Sequence, residues 1–330
     1  MSHEKKREAV EPLSLEGLRT TSLADRPSKV QVEDFGRPWR VGASFSAFLE
    51  SLPNILAAGD FRRAVDAVVV AVRNQKVVLL GMGAHPIKVG LNPILIDAME
   101  RGILGGLAMN GACVVHDVEV ALAGKTSEDV ETHLDRGEFG AVRETSELIH
   151  KAVRSGYLRG GIGLGRAVGE FLLQCRPPYI QSSLLAVAAK LGVPVTVHVA
   201  LGTDIVHMHG AMDGAATGAL SHYDFRVFCR LVSGLSRGVY VNLGSAVILP
   251  EVFLKAVSVA RNLGYSLEGL TTINMDFQKH YRTQMNVVER PPCGSGKGLL
   301  LIGHHEIMFP LLLAAVVERL SLEGDHGEAH

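Results

Sequence analysis

The chain has 330 residues, 47% hydrophobic but only 5% aromatic, so its core must be built from aliphatic side chains and is large enough for one big domain or two close-packed halves. Lys and Arg number 33 against 34 Asp and Glu, a formal charge of −1, which gives no general attraction to nucleic acid or an anionic membrane and leaves a small molecule as the expected ligand. Cys113, Cys175, Cys229 and Cys293 form no Cys-x-x-Cys pair, the amino terminus is charged, and apolar runs such as 309–317 fall well short of the ~20 residues of a membrane span; together these predict a reduced, cytoplasmic protein.

Residues 1–40 are polar and interrupted by Pro12, Pro27 and Pro38, so an irregular arm is expected there, followed by a single α/β domain over 41–322 and a frayed tail at 323–330. A helical pattern at 61–73 leads into an apolar run at 76–80. Asn92 is placed to cap a helix whose first residue is Pro93 and which ends before Gly102; a second apolar run follows at 104–109. Helical patterns at 145–154 and 182–191 precede a run at 194–200. Those at 225–235, 250–263 and 307–321 alternate with runs at 238–243, 269–274 and 298–302.

Apolar strands alternating with helices predict a doubly wound, mostly parallel, Rossmann-like sheet of six or more strands. Such a sheet binds ligands outside the carboxyl ends of its strands, so the small and polar residues just after each run form the candidate cofactor cradle. They are Gly81, Gly83 and His85; Asn110, Gly111 and Ala112; Gly202 and Thr203; Gly244; and Asn274 and Asp276. Glycines after strands also simply make good turns, and the clustering of five such groups at one edge is what favours a nucleotide site.

The segment from Leu80 to Leu91, Leu-Gly-Met-Gly-Ala-His-Pro-Ile-Lys-Val-Gly-Leu, resembles the deoxyhypusine synthase pattern Leu-Gly-Tyr-Thr-Ser-Asn-Leu-Ile-Ser-Ser-Gly-Leu at identical spacing. Residues 104–117 are similar to that family's following strand and loop, and Asp204-Ile-Val-His-Met-His209 to its Gly-Asp-Met-Ile-Phe-Phe-His. Leu243-Gly-Ser-Ala-Val-Ile248, Ile273-Asn274 and Phe309-Pro-Leu-Leu312 match further motifs in order, so the resemblance spans about residues 40–320. It implies NAD over the glycine loops, a histidine at His209 in the active site, and a homo-oligomer, dimer or tetramer, with sites between subunits. It also marks departures. Leu249 stands where the family carries the lysine that forms a covalent imine, which leucine cannot do. Lys255 lies six residues further along the helix. Val115 and His116 replace the paired acids of the NAD loop, and Ile302-Gly-His304-His305-Glu306 replaces Tyr-Ala-Asp-Ala-Ser. The resemblance therefore implies an NAD-dependent transferase or oxidoreductase acting on a small amine or amino-acid-like substrate, but not an authentic deoxyhypusine synthase.

The residues themselves offer chemistry between 198 and 222, where His198, Asp204, His207, His209, Asp213 and His222 crowd an otherwise small-residue stretch. His209, oriented by Asp204 or another carboxylate and with His207 beside it, is the candidate general base. The same His-x-His, closed by His198, is the alternative for a divalent metal and for a metal-dependent lyase or hydrolase. A further alternative is a non-catalytic small-molecule sensor. The segment from Cys293 to Gly298 looks like a phosphate loop but has Pro291 and Gly298 where that motif needs glycine and Ser or Thr, so a turn is expected.

Overall fold

The computed structural model describes residues 10–322; the expectations for 1–9 and for the tail at 323–330 lie outside the described residues. From Val10 to Ser44 the chain makes a single 3-10 turn, Val32–Asp34, and lies almost wholly exposed. Helices α1 (Phe45–Ser51) and α2 (Leu56–Arg73) lead to strand β1 (Val78–Met82). Then follow α3 (His85–Lys88), α4 (Asn92–Glu100), β2 (Gly106–Asn110), α5 (Gly111–Ala123), α6 (Val130–Leu134), α7 (Arg143–Arg159), α8 (Leu164–Cys175), α9 (Leu184–Leu191) and β3 (Val195–His198). The second half holds α10 (Gly214–Val232), β4 (Val239–Leu243), α11 (Ile248–Asn262), β5 (Thr271–Asp276), the single turn α12 (Tyr281–Thr283), β6 (Lys297–Ile302) and α13 (His305–Leu322).

All five strand pairings are parallel, and the order β3-β2-β1-β4-β5-β6 is that of a doubly wound sheet whose topology reverses between β1 and β4. The six expected strands all form. Several details differ from the sequence reading, the following among them. Asn92 is the first residue of α4 rather than its cap, because its amide instead donates to Asp117 Oδ1 at 3.3 Å and the Ser182 carbonyl at 2.8 Å. Gly81 lies inside β1, not in the loop beyond it, and Asn274 and Asp276 lie inside β5. Helices α5 and α8 were not expected: the β-branched Val114 and Val115 disguise the first, and the glycines at 160, 161, 163 and 165 disguise the second.

Register places Leu80, Met82, Leu107, Met109, Val197, Val241, Ile273 and Leu301 on one face, in an aliphatic core shared with α2, α4, α5, α8, α9 and α13. The other face, under the carboxyl half of α10 and α11, begins apolar at Leu79, Ala108 and Tyr240 and turns polar toward the carboxyl ends. Buried carboxylates stitch the helices onto this frame. Asp117 of α5 accepts from the Leu184 and Leu185 amides and the Ser183 hydroxyl at the start of α9. Asp224 of α10 accepts from the Gly165 amide at the start of α8 and the Val197 amide of β3. Each satisfies amides that a helix start leaves orphaned. Among the described residues no helix is long and apolar enough to cross a membrane.

Candidate functional site

Because paired residues of a parallel ladder share a face, the register Gly81↔Asn242↔Asn274 and Asn110↔His198 puts Gly81, Asn110, His198, Asn242, Asn274 and Asp276 on the α10–α11 face, at or near the carboxyl ends of five strands. The sequence reading expected Asn110, Asn274 and Asp276 along this edge, but it named His198 only as a possible metal ligand and missed Asn242 and Tyr240, which look like ordinary strand residues. Asn242 donates to Asn274 Oδ1 at 2.7 Å and to the Ser245 carbonyl at 3.0 Å. Asn242 Oδ1, Asn274 Nδ2 and the Tyr240 hydroxyl are buried without a hydrogen-bond partner, which native interiors seldom tolerate away from a water or ligand. Tyr240 stacks on Phe253 with centroids 3.7 Å apart, in space that Gly81 leaves by lacking a Cβ.

A cavity of about 410 Å³ opens beside this face between α10 and α11; His198, Ser221, His222, Val247 and Glu251 line it. His198 is buried, and burial pushes its imidazole down to about 4, so it is neutral at cellular pH. Thr196 Oγ1 donates to the Leu107 carbonyl and so accepts from His198 Nε2 at 3.0 Å, leaving His198 Nδ1 as an acceptor. Glu251 is held by Lys255, Arg282 and Asn286, which ties Lys255 to the surface of α11. Leu249, at the position implied for the imine-forming lysine, is fully buried among Tyr240 and Phe253.

The glycines at the topological switch do not form an open cradle. A Cβ on Gly83 would lie 2.4 Å from the Gly244 carbonyl oxygen, and one on Gly244, at φ 64°, would lie 2.5 Å from His305 Cε1. Their amides are also taken, by the Leu243 and Met275 carbonyls. What the switch does assemble is a file of side chains: His85 Nδ1 is 2.8 Å from His305 Nδ1, and His305 Nε2 is 3.8 Å from Asp276 Oδ1, with Phe277 against both rings. His85 and Asp276 were expected at the edge; His305 was not, although its place just beyond the sixth run was a signal for it.

The remaining candidates gather over β2 and β3. Asn110 caps α5, its Oδ1 accepting from the Cys113 amide, and Ala112 sits in the first turn. Gly111 is covered by Asp204: a Cβ there would be 1.9 Å from Asp204 Oδ2. Burial raises the Asp204 carboxyl above the usual range, with His207 opposing. His207 Nδ1 accepts from the amides of Gly202 and Asp204, so its Nε2 carries the proton, 3.7 Å from Asp204 Oδ2. Asp204 therefore orients His207 and not His209, a correction to the expected pairing. His209 is half-buried, accepts the Ala211 amide at Nδ1 and stacks on His150, a neighbour absent from the sequence reading. Gly202 and Thr203 form an exposed turn, Thr203 donating to the Ala200 carbonyl. The proposed metal set does not assemble, since His198 Nε2 is spent on Thr196 and His207 Nδ1 on two amides; among the described residues no three His, Cys, Asp or Glu side chains could hold a metal ion.

No family model matches the sequence, and no curated protein matches it either. Solved structures do share its fold. A candidate deoxyhypusine synthase from Entamoeba histolytica aligns over 86% of this chain and 96% of its own, at 12% identity and a TM-score of 0.52. AgrE, in its ternary complex with ornithine and NAD+, aligns over 81% of this chain at 12% identity and a TM-score of 0.53, with 34% of AgrE covered. ArgZ, a cyanobacterial arginine dihydrolase, aligns over 81% at 15% identity and 0.48, again with 34% of its own chain. This chain thus spans about a third of the length of AgrE and ArgZ. At these identities the likeness is one of fold: a six-stranded, all-parallel α/β sheet of the deoxyhypusine synthase-like type.

Proposed function

We propose that this chain is an NAD-dependent enzyme acting on a small amine or amino-acid-like substrate, and that it is not a deoxyhypusine synthase. The observation that carries the reading is the polar sheet face beside the cavity: buried Asn, His and Asp side chains converge at the carboxyl ends, where a doubly wound sheet binds its ligand. The similar fold of AgrE, seen with ornithine and NAD+, supports the choice of ligands. The orphaned Asn242 Oδ1 and Asn274 Nδ2 fit a polar ligand, and so does the loop 245–247, whose amides make no backbone hydrogen bond among the described residues and precede the 15-residue α11. In this reading Ser245, Ala246 and Val247 hold the pyrophosphate, Glu251 faces a ribose or the substrate amine, and His198 offers an acceptor. NAD, when bound, supplies a hydride acceptor. Leu249 denies the site an imine-forming amine, which separates this chain from the aminobutyl transfer that its resemblance implies.

Isothermal titration with NAD is the test. Saturable binding in the micromolar to millimolar range is expected, weakened at least tenfold in His198→Phe; an absence of heat up to several millimolar NAD overturns the reading. We also propose that the working form is a homo-oligomer, because the arm leaves Leu13, Leu15, Leu18 and Leu23 exposed to solvent.

A further inference from the structure

The switch point holds a group of side chains that binding alone does not explain. His305 is wholly buried at the start of α13, His85 is half-buried at the start of α3, and Asp276 is buried at the end of β5, so three separate elements converge on two imidazoles and a carboxylate. Two ring nitrogens 2.8 Å apart share one proton: one must donate and the other must carry a lone pair. Asp276 decides which. Its Oδ1, which accepts the Phe277 amide at 2.8 Å, lies 3.8 Å from His305 Nε2, beyond hydrogen-bond range but near enough to favour an N–H there over a lone pair. His305 Nδ1 is then the acceptor, His85 Nδ1 the donor, and His85 Nε2 is left as a basic lone pair.

We infer that His85 is the acid–base residue of this site, with His305 as its positioning residue and Asp276 fixing the tautomer of the pair. The inference rests on the proposed reading for its substrate, a small amine. The substrate ammonium gives one proton to His85 Nε2, the electrons of the broken N–H bond stay on nitrogen as the lone pair of the free amine, and the proton leaves His85 to water. The imidazolium formed at His85 keeps its Nδ1–H bond to neutral His305. Burial holds His305 below the usual imidazole range, with Asp276, Glu306 and the Met275 carbonyl opposing and His85 adding to the depression, so His305 stays neutral and its Nδ1 an acceptor. Besides these groups, His304 lies nearby, exposed and beside Glu306.

The test is long-range proton–nitrogen correlation NMR on the full chain labelled with 15N-histidine, His85 and His305 being assigned from His85→Gln and His305→Gln. His85 is expected as the Nδ1–H tautomer and His305 as the Nε2–H tautomer, and in Asp276→Asn this preference between the two tautomers is expected to be lost. His85 found as the Nε2–H tautomer, or tautomers unchanged in Asp276→Asn, overturns the inference. If Asp276→Asn fails to fold, the wild-type tautomers alone decide. The NAD titration is independent of this readout: NAD binding with the wrong His85 tautomer removes the relay and leaves the cofactor, whereas the expected tautomers without NAD binding leave the relay and remove the cofactor.

Discussion

Gly111 shows how tightly single residues are set at the carboxyl edge. Its missing Cβ makes room for the Asp204 carboxylate over the first turn of α5, and that carboxylate in turn faces His207. Gly111→Ala must push Asp204 aside; we expect a loss of about 2 kcal/mol in urea denaturation and faster hydrogen exchange at 202–209, and an unchanged exchange pattern would show that Asp204 does not anchor the turn. Asp224 gives a pH signature. Burial raises its carboxyl from an unfolded value near 4 to about 7, against three opposing backbone amides. The folded state therefore holds a proton that the unfolded state has released between these values, so this group's contribution is full below pH 4 and is lost as pH rises through 7. The slope approaches about 1.4 kcal/mol per pH unit within that window. Melting temperatures measured from pH 5 to 8 should fall less steeply for Asp224→Asn than for the unaltered chain.

Among the elements, α11 determines what chemistry the edge can do. It turns Leu249 inward onto Tyr240 and Phe253, and its exposed side carries the Lys255–Glu251 pair outward. Leu249→Lys would restore the implied lysine in sequence only. We expect the buried, unpaired ammonium to cost about 3 kcal/mol or more, read as a lower denaturation midpoint, and no imine to be trapped by borohydride with carbonyl compounds. A trapped adduct at residue 249 would mean that α11 opens enough to present it. Two helix starts share one device: Asp117 at α9 and Asp224 at α8 accept amides directly, while Asn110 Oδ1 caps α5, so these amide ends are answered by the protein's own side chains and not by a ligand. At the start of α11 no carboxylate accepts the amides of 245–247; the Leu249 amide is met by Ser245 Oγ, and Glu251 of the first turn is held by Lys255, Arg282 and Asn286.

At the scale of the whole molecule, the arm from Val10 to Ser44 contributes almost nothing to the core, yet it displays Leu15, Leu18, Phe35 and Trp39. Covering these on a second copy is the expected outcome. Sedimentation at micromolar concentration should show a dimer or tetramer, and Leu15→Ser with Leu18→Ser and Leu23→Ser should shift it toward the monomer; a monomeric unaltered chain would end the proposal. Aliphatic richness with few aromatics is matched by the two-layered core, in which one sheet face is aliphatic from end to end.

The amino-acid sequence by itself determined the strands and the edge. Six short apolar runs spaced by helical patterns admit little besides a parallel doubly wound sheet, because such strands are buried on both faces and their crossovers must be long. It also marked Asn110, Asn274 and Asp276 as residues at or near strand ends, the edge where a doubly wound sheet takes its ligand. Tertiary structure alone decided which of them meet. Whether Asp204 faces His207 or His209, whether Gly83 and Gly244 leave a gap or close on each other, and that His85 and His305, 220 residues apart, share a proton depend on strand order and on helices α5 and α13. Local periodicity fixes a side chain's face, but its partner is fixed by which strands lie side by side, and that order is set by the packing of the whole core.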